Sequence, residues 1–184
     1  MPWLNELALR CRQCIDAGGG AAQIRDLTAK ALSEQTAVPA QTDVDRIVYR
    51  ADDLLVVSLA QPPFGNTPVH THGIWCVIGV AVGREDNAFF ERGPSGLVET
   101  HRVRLEAGEC IALEPDVIHK IRNPDAAQSQ VLHIYGGDLL TARRTMWNPH
   151  TAEELPLDQA QFEAWCEELT GLASKPREAG ALAW

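Results

Sequence analysis

Pro68-Val69-His70-Thr71-His72-Gly73-Ile74-Trp75-Cys76 sets two histidines one residue apart at the entrance to an apolar run that continues to Val82. In extended chain, residues i and i+2 project to the same side, so both imidazoles enter one space. Two neutral ring nitrogens delivered together form a ligand pair for a single divalent metal. Alone, such a pair is better read as two polar residues beside a turn.

A second stretch supplies a third imidazole. Gly108-Glu109-Cys110-Ile111-Ala112-Leu113-Glu114-Pro115-Asp116-Val117-Ile118-His119-Lys120-Ile121-Arg122-Asn123 reads as strand, proline turn and strand, with His119 leading the second strand. Around both stretches lie short β-type runs at residues 47–49, 54–59, 74–82, 97–105, 110–113 and 130–135. Turn signals separate them, among them Gln61-Pro62-Pro63-Phe64-Gly65-Asn66, a hairpin turn at Glu85-Asp86, Gly93-Pro94-Ser95-Gly96 and Asn123-Pro124-Asp125. Many short strands with frequent turns predict an all-β sandwich or barrel.

Helical spacing flanks this core. Trp3, Leu4, Leu7, Ala8, Cys11, Cys14 and Ile15, then Ile24, Leu27, Ala31 and Leu32, predict two helices separated by Gly18-Gly19-Gly20. A last helix is expected from about Leu157-Asp158, with Phe162, Trp165, Cys166 and Leu169 on one side, and the tail after Gly171 is expected to fray. The whole chain, 1–184, reads as one domain: a helical segment at 1–40, a β core at 41–140 and an extension at 141–184.

The 16 basic and 25 acidic side chains give a net charge of −9, which argues against nucleic acid or an anionic membrane as the partner. No run approaches the roughly 18 apolar residues of a membrane span. The start, Met-Pro-Trp-Leu-Asn-Glu, lacks the basic and apolar pattern of a signal peptide, so a cytoplasmic setting is expected. The five cysteines fit reduced thiols there. Cys11 and Cys14 form a C-x-x-C, but it lies in a helical pattern without a partner motif and reads as structural.

The two histidine stretches together resemble the cupin superfamily, whose motifs carry H-x-H after a glycine and then a glycine, a proline, a histidine and an asparagine in order. Gly65 with His70 and His72, and Gly108 with Pro115, His119 and Asn123, match. The resemblance implies a cupin double-stranded β-helix, a jelly-roll-like barrel, here with N-terminal helices and one C-terminal helix. Most cupins add a glutamate shortly after H-x-H as a fourth ligand, but Gly73-Ile74-Trp75-Cys76-Val77 offers no carboxylate. Three neutral imidazoles leave a divalent ion its full charge and favour anionic incoming ligands, notably a thiolate.

Within the cupins, residues 67–80, 113–124 and 132–139 look like the cysteine dioxygenase type I family of thiol dioxygenases, over about residues 40–140. That family acts on cysteine, 3-mercaptopropionate or mercaptosuccinate and adds both atoms of O2 to sulfur. The resemblance implies Fe(II) held by His70, His72 and His119. It also implies that His133 orients the Tyr135 hydroxyl, as in the family's Ser-x-His-x-Tyr segment. Here that segment reads Val131-Leu132-His133-Ile134-Tyr135, so the serine is missing and the relay is shortened or rerouted. Cys76 falls near a cysteine that animal members crosslink to the tyrosine. The preferred reading here is a buried thiol, with a Cys76–Tyr135 crosslink as the alternative.

The family's carboxylate-binding residue maps to Arg46, with Arg50 as competitor. A guanidinium pairs bidentately with a carboxylate, and a second cation among Arg50, Arg84, Arg102 or Arg104 would suit a dicarboxylic thiol. His101 reads as an ordinary strand residue, His150 as a surface residue, and Trp75 and Trp147 as packing. The competing function is a non-catalytic cupin that binds a metal or small ligand.

Overall fold

The computed structural model describes residues 2–35 and 45–171. In chain order the elements are α1 (Pro2–Asp16), α2 (Ala21–Ser33), β1 (Arg46–Ala51), β2 (Leu54–Gln61), β3 (Cys76–Val82), β4 (Arg84–Gly93) and β5 (Gly96–Glu106). They continue as β6 (Cys110–Leu113), β7 (Ile118–Arg122), β8 (Ser129–Tyr135), β9 (Thr145–Trp147), β10 (Glu154–Pro156) and α3 (Gln159–Thr170). The tail expected to fray begins just after Gly171 and lies outside the described residues.

Alternation along the strands builds two apolar cores from one sheet. β1-β2-β8-β3-β6 form a five-stranded antiparallel sheet. Leu54, Val56, Val77, Leu132 and Ile134 face outward and are covered by α1 and α2. α1 contributes Leu4, Leu7, Ala8 and Cys11, one stripe of a 3.6-residue period. α2 contributes Ile24, Ala31 and Leu32. Full burial of each large aliphatic side chain stabilises by about 1.5–3 kcal/mol, which explains why two short helices stay docked. Cys11 of the C-x-x-C belongs to this core, and burial pushes its thiol up to about 12.

The opposite residues, Leu55, Val57, Cys76, Ile78, Val131 and Tyr135, face a second sheet of order β5-β4-β7 and meet Phe89, Leu105 and Ile121. This is the all-β, jelly-roll-like arrangement of two sheets that the sequence predicts, with two helices before it and one after.

β4 corrects one expectation. Glu85-Asp86 is not a hairpin turn: the turn is confined to Gly83, at φ 78°, and both acidic residues lie in the strand. Asp86 pairs with Arg104 across the sheet, and Glu85 points into the barrel with no exposed surface. Polar residues beside a glycine resemble a turn when their tertiary partners are unknown.

Candidate metal centre

His70 and His72 lie not in a regular strand but in a bridged segment before β3. His70 pairs with His119 of β7 and with Met146 of β9. The His70 N–H donates to His119 O at 2.8 Å, and the His119 N–H to His70 O at 3.0 Å. Backbone pairing thus seats the ligand of one motif against the ligand of the other. The motif residues Asn123 and Gly65 clamp the same loop: the Asn123 N–H donates to Gly65 O at 2.8 Å, and its Nδ2 donates to Pro62 O at 2.9 Å and Ala127 O at 2.8 Å.

The three imidazoles converge. His72 Nε2 lies 3.3 Å from His70 Nε2 and 3.5 Å from His119 Nε2. The outer nitrogens face acceptors: His70 Nδ1 is 3.0 Å from Pro68 O, and His119 Nδ1 is 3.1 Å from Asn87 Oδ1. Those rings therefore carry their proton on Nδ1 and turn the Nε2 lone pair inward. Burial lowers His70 to about 4 and holds His72 and His119 well below their ordinary value, with the neighbouring histidines adding to the effect for both. Neutral rings with converging lone pairs repel one another unless a cation lies between them. An ion about 2.0–2.1 Å from each nitrogen in tetrahedral directions would separate them by roughly 3.3–3.4 Å, so the donor set fits a divalent metal. Among the described residues the group able to hold a metal is these three histidines, with no carboxylate in it.

Beside this centre lies a cavity of about 130 Å³, too small for a drug-sized ligand. Val57, Leu59, Ile121, Leu139, Leu140 and Phe162 give it apolar walls. Its polar lining is Thr67, His133, Tyr135, Arg144 and Gln159. Tyr135 and Phe162 connect it to the histidines, with ring centroids 5.2 Å from His72 and 5.0 Å from His70. His133 and Tyr135 come together as expected, Nδ1 to hydroxyl at 2.9 Å. Burial, followed by the neighbouring Cys76 thiol, raises Tyr135 well above its ordinary value, so the phenol keeps its proton. Cys76 is directly opposite Tyr135 across the β3–β8 pair and is fully buried.

Arg46 and Arg50 do not reach the cavity. Both are exposed on β1, and Arg50 pairs with Asp138 at 3.4 Å. Arg46 is opposite Ser58, two residues on from the outward-facing Val56, so alternation turns it away from the barrel interior. The cation at the wall is Arg144, just before β9, half-buried and donating to Gln159 Oε1 at 3.1 Å. Burial lowers its pKa, and Tyr135 partly opposes that shift.

Three cavity residues, Arg144, Gln159 and Phe162, escaped the sequence reading. α3 carries the last two, starting from an Asp158 side chain that accepts the Gln161 N–H at 2.8 Å. The α3 residue Thr170 accepts the Asn66 N–H at 3.1 Å, which ties the helix to the barrel. The weaker candidates are accounted for as packing or surface. His101 is exposed and stacks on Phe89, with centroids 4.5 Å apart, and His150 faces Glu168 at 3.1 Å. Trp75 packs against the helix-covered core, and Trp147 is buried beneath Arg92.

No family model matches the chain. Among solved structures it is similar to an RmlC-like cupin family protein with a double-stranded β-helix fold from Methanocaldococcus jannaschii. The two are 10% identical over 58% of this chain and 90% of that one, with a TM-score of 0.45. It is also similar to a Cupin 2 conserved barrel domain protein from Salinispora arenicola (15% identity, 51% and 75% coverage, TM-score 0.42). A third is Peruvianin-I, a cysteine peptidase from Thevetia peruviana latex, at 15% identity and TM-score 0.42. That match covers 51% of this chain and spans only 55% of the other. Among the described residues, no helix is long and apolar enough to cross a membrane.

Proposed function

We propose that the protein is a non-haem iron(II) thiol dioxygenase that converts a small carboxylate-bearing thiol to its sulfinate. One observation carries the reading: a histidine-held phenol, Tyr135, stands between a three-imidazole centre and a small cavity with a cation in its wall. Simple metal storage has no use for such a phenol. Iron(II) held by His70, His72 and His119 would supply positions for a thiolate and dioxygen and a path for electrons from sulfur to oxygen. The reaction balances without an external reductant: R–S⁻ + O2 gives R–SO2⁻. Two S–O bonds form, the O–O bond breaks, and sulfur gives up four electrons to the two oxygen atoms.

The chain's own groups supply orientation. Arg144 receives the substrate carboxylate in a bidentate pair, and the apolar walls exclude water around it. Tyr135 holds a proton on its hydroxyl at the sulfur end, and His133 Nδ1 fixes the direction of that hydroxyl. Arg144 is the one fully ionised cation among the described lining residues, and no carboxylate stands there to receive an ammonium. The cavity therefore favours a thiol monocarboxylate of the 3-mercaptopropionate type over cysteine, which carries an amine, and over mercaptosuccinate, which carries a second carboxylate. Free cysteines and an iron(II) enzyme suit a reducing, cytoplasmic setting.

Anaerobic reconstitution with iron(II), followed by oxygen uptake with the three thiols, tests the proposal. Uptake with stoichiometric sulfinate, fastest with 3-mercaptopropionate, is the expected result. No thiol-dependent uptake would leave a non-catalytic metal-binding cupin. Intact mass tests Cys76 separately: the buried-thiol reading expects full mass, and a deficit of two hydrogens on a Cys76–Tyr135 peptide pair overturns it.

A further inference from the structure

Glu85 is fully buried inside the barrel, and no other carboxylate among the described residues is buried. Its surroundings explain how a carboxyl group is tolerated there. Oε1 accepts from Asn87 Nδ2 at 2.9 Å, and Oε2 accepts from Gln61 Nε2 at 2.5 Å. Gln61 is itself held by the Ser129 hydroxyl, which donates to its Oε1 at 3.0 Å. A buried carboxyl group held by two amide donors is costly to place and points to a role.

Two chains of contact leave this carboxylate. Through Asn87 it reaches the metal centre: because Nδ2 is committed to Glu85, the amide must present Oδ1 to His119 Nδ1, at 3.1 Å. On the other side Oε2 lies 3.8 Å from His133 Nε2, a buried nitrogen that makes no hydrogen bond. At 3.8 Å the contact is electrostatic rather than a formed hydrogen bond. It still discriminates between the two neutral forms of the ring. An N–H aimed at the carboxylate is attracted, whereas a lone pair aimed at it is repelled. Val131, two residues before His133, is apolar and offers the ring nothing.

We propose that Glu85 is a positioning residue that sets the proton arrangement of two histidines at once. It holds His133 with its proton on Nε2, so that Nδ1 accepts the Tyr135 O–H. Through Asn87 it holds His119 with its proton on Nδ1, so that Nε2 faces the metal. The phenol beside the cavity and a ligand of the metal centre are thereby aligned by one carboxylate. The kinetic part of the test rests on the dioxygenase reading, whereas the spectroscopic part does not.

Long-range 1H–15N correlation spectra of the full chain loaded with zinc report which ring nitrogen carries each proton. The wild type is expected to show His133 protonated on Nε2. In Glu85→Gln the amide has one acceptor oxygen where Asn87 and Gln61 both donate, so one contact is lost, the anionic acceptor opposite His133 Nε2 disappears, and the His133 proton is expected to move to Nδ1. Zinc stoichiometry should be retained. With iron(II) and 3-mercaptopropionate, kcat of Glu85→Gln should fall about 10–100-fold with KM unchanged, the usual loss when a supporting partner of a metal ligand is removed. A wild-type His133 protonated on Nδ1 overturns the proposal without any variant, and so does the same tautomer in both proteins. If the tautomer switches as expected while neither protein oxidises any thiol, the positioning role stands and the dioxygenase reading falls.

Discussion

Arg144→Gln separates substrate binding from metal binding. The guanidinium is half-buried among apolar walls, is the only guanidinium or ammonium group among the described lining residues, and is not a metal ligand. A charge-assisted hydrogen bond is worth about 1.5–3 kcal/mol, and removing one partner of a desolvated pair lies toward the upper end. At about 1.4 kcal/mol per tenfold, KM for 3-mercaptopropionate should rise roughly 10- to 150-fold. Glutamine keeps a polar group beside Gln159, so the cavity need not collapse. Oxygen-uptake kinetics on iron-loaded protein give KM, and metal analysis should return an unchanged iron content. A thiol without a carboxylate serves as the internal control, because its KM should not respond to Arg144. Arg46→Gln, an exposed β1 substitution, should leave all these values alone. An unchanged KM in Arg144→Gln, or a rise confined to Arg46→Gln, would refute the assignment of the cavity cation.

The remaining predictions concern the centre and its frame. His119→Ala should lose stoichiometric metal while the barrel stays folded, whereas His101→Ala should keep it; metal analysis and circular dichroism distinguish the two. Metal-free protein should weaken on acidification, because folding holds His70 neutral down to about 4 against an ordinary 6.5. The unfolded chain then binds the extra proton between those values, so the His70 contribution is lost as pH drops through that window and levels off below it, while His72 and His119, held well below 6.5 as well, add to the loss. His70 alone accounts for about 3 kcal/mol at most, measurable as a shift in the urea midpoint between pH 7 and pH 4. Gly73→Ala should destabilise the ligand loop by about 2 kcal/mol or more: φ is +68°, and an added Cβ would lie 2.2 Å from Arg143 O. A thermal midpoint equal to wild type would contradict that geometry.

Local pattern was enough for the barrel and for the three histidines that converge on one point. Strand alternation, helical spacing and turn residues are short-range signals, and imidazoles separated by one residue share a side wherever the chain is extended. The pairing of His133 with Tyr135 follows from the same rule and comes out at hydrogen-bond distance.

Tertiary packing decided the cavity and the groups that surround the three histidines. Arg144, Gln159 and Phe162 come from segments outside the motifs, and only the docking of α3 on the barrel brings them to the histidines. Arg46 failed to reach the interior because a bulge and the register of β1 set its direction, and register depends on the neighbouring strand. Glu85 is the clearest case. A charged residue beside a glycine looks like solvent-exposed turn until Gln61, Asn87 and His133, each from elsewhere in the barrel, surround it. Burial of a charge is a property of its partners, and partners distant in sequence leave no mark on the local pattern.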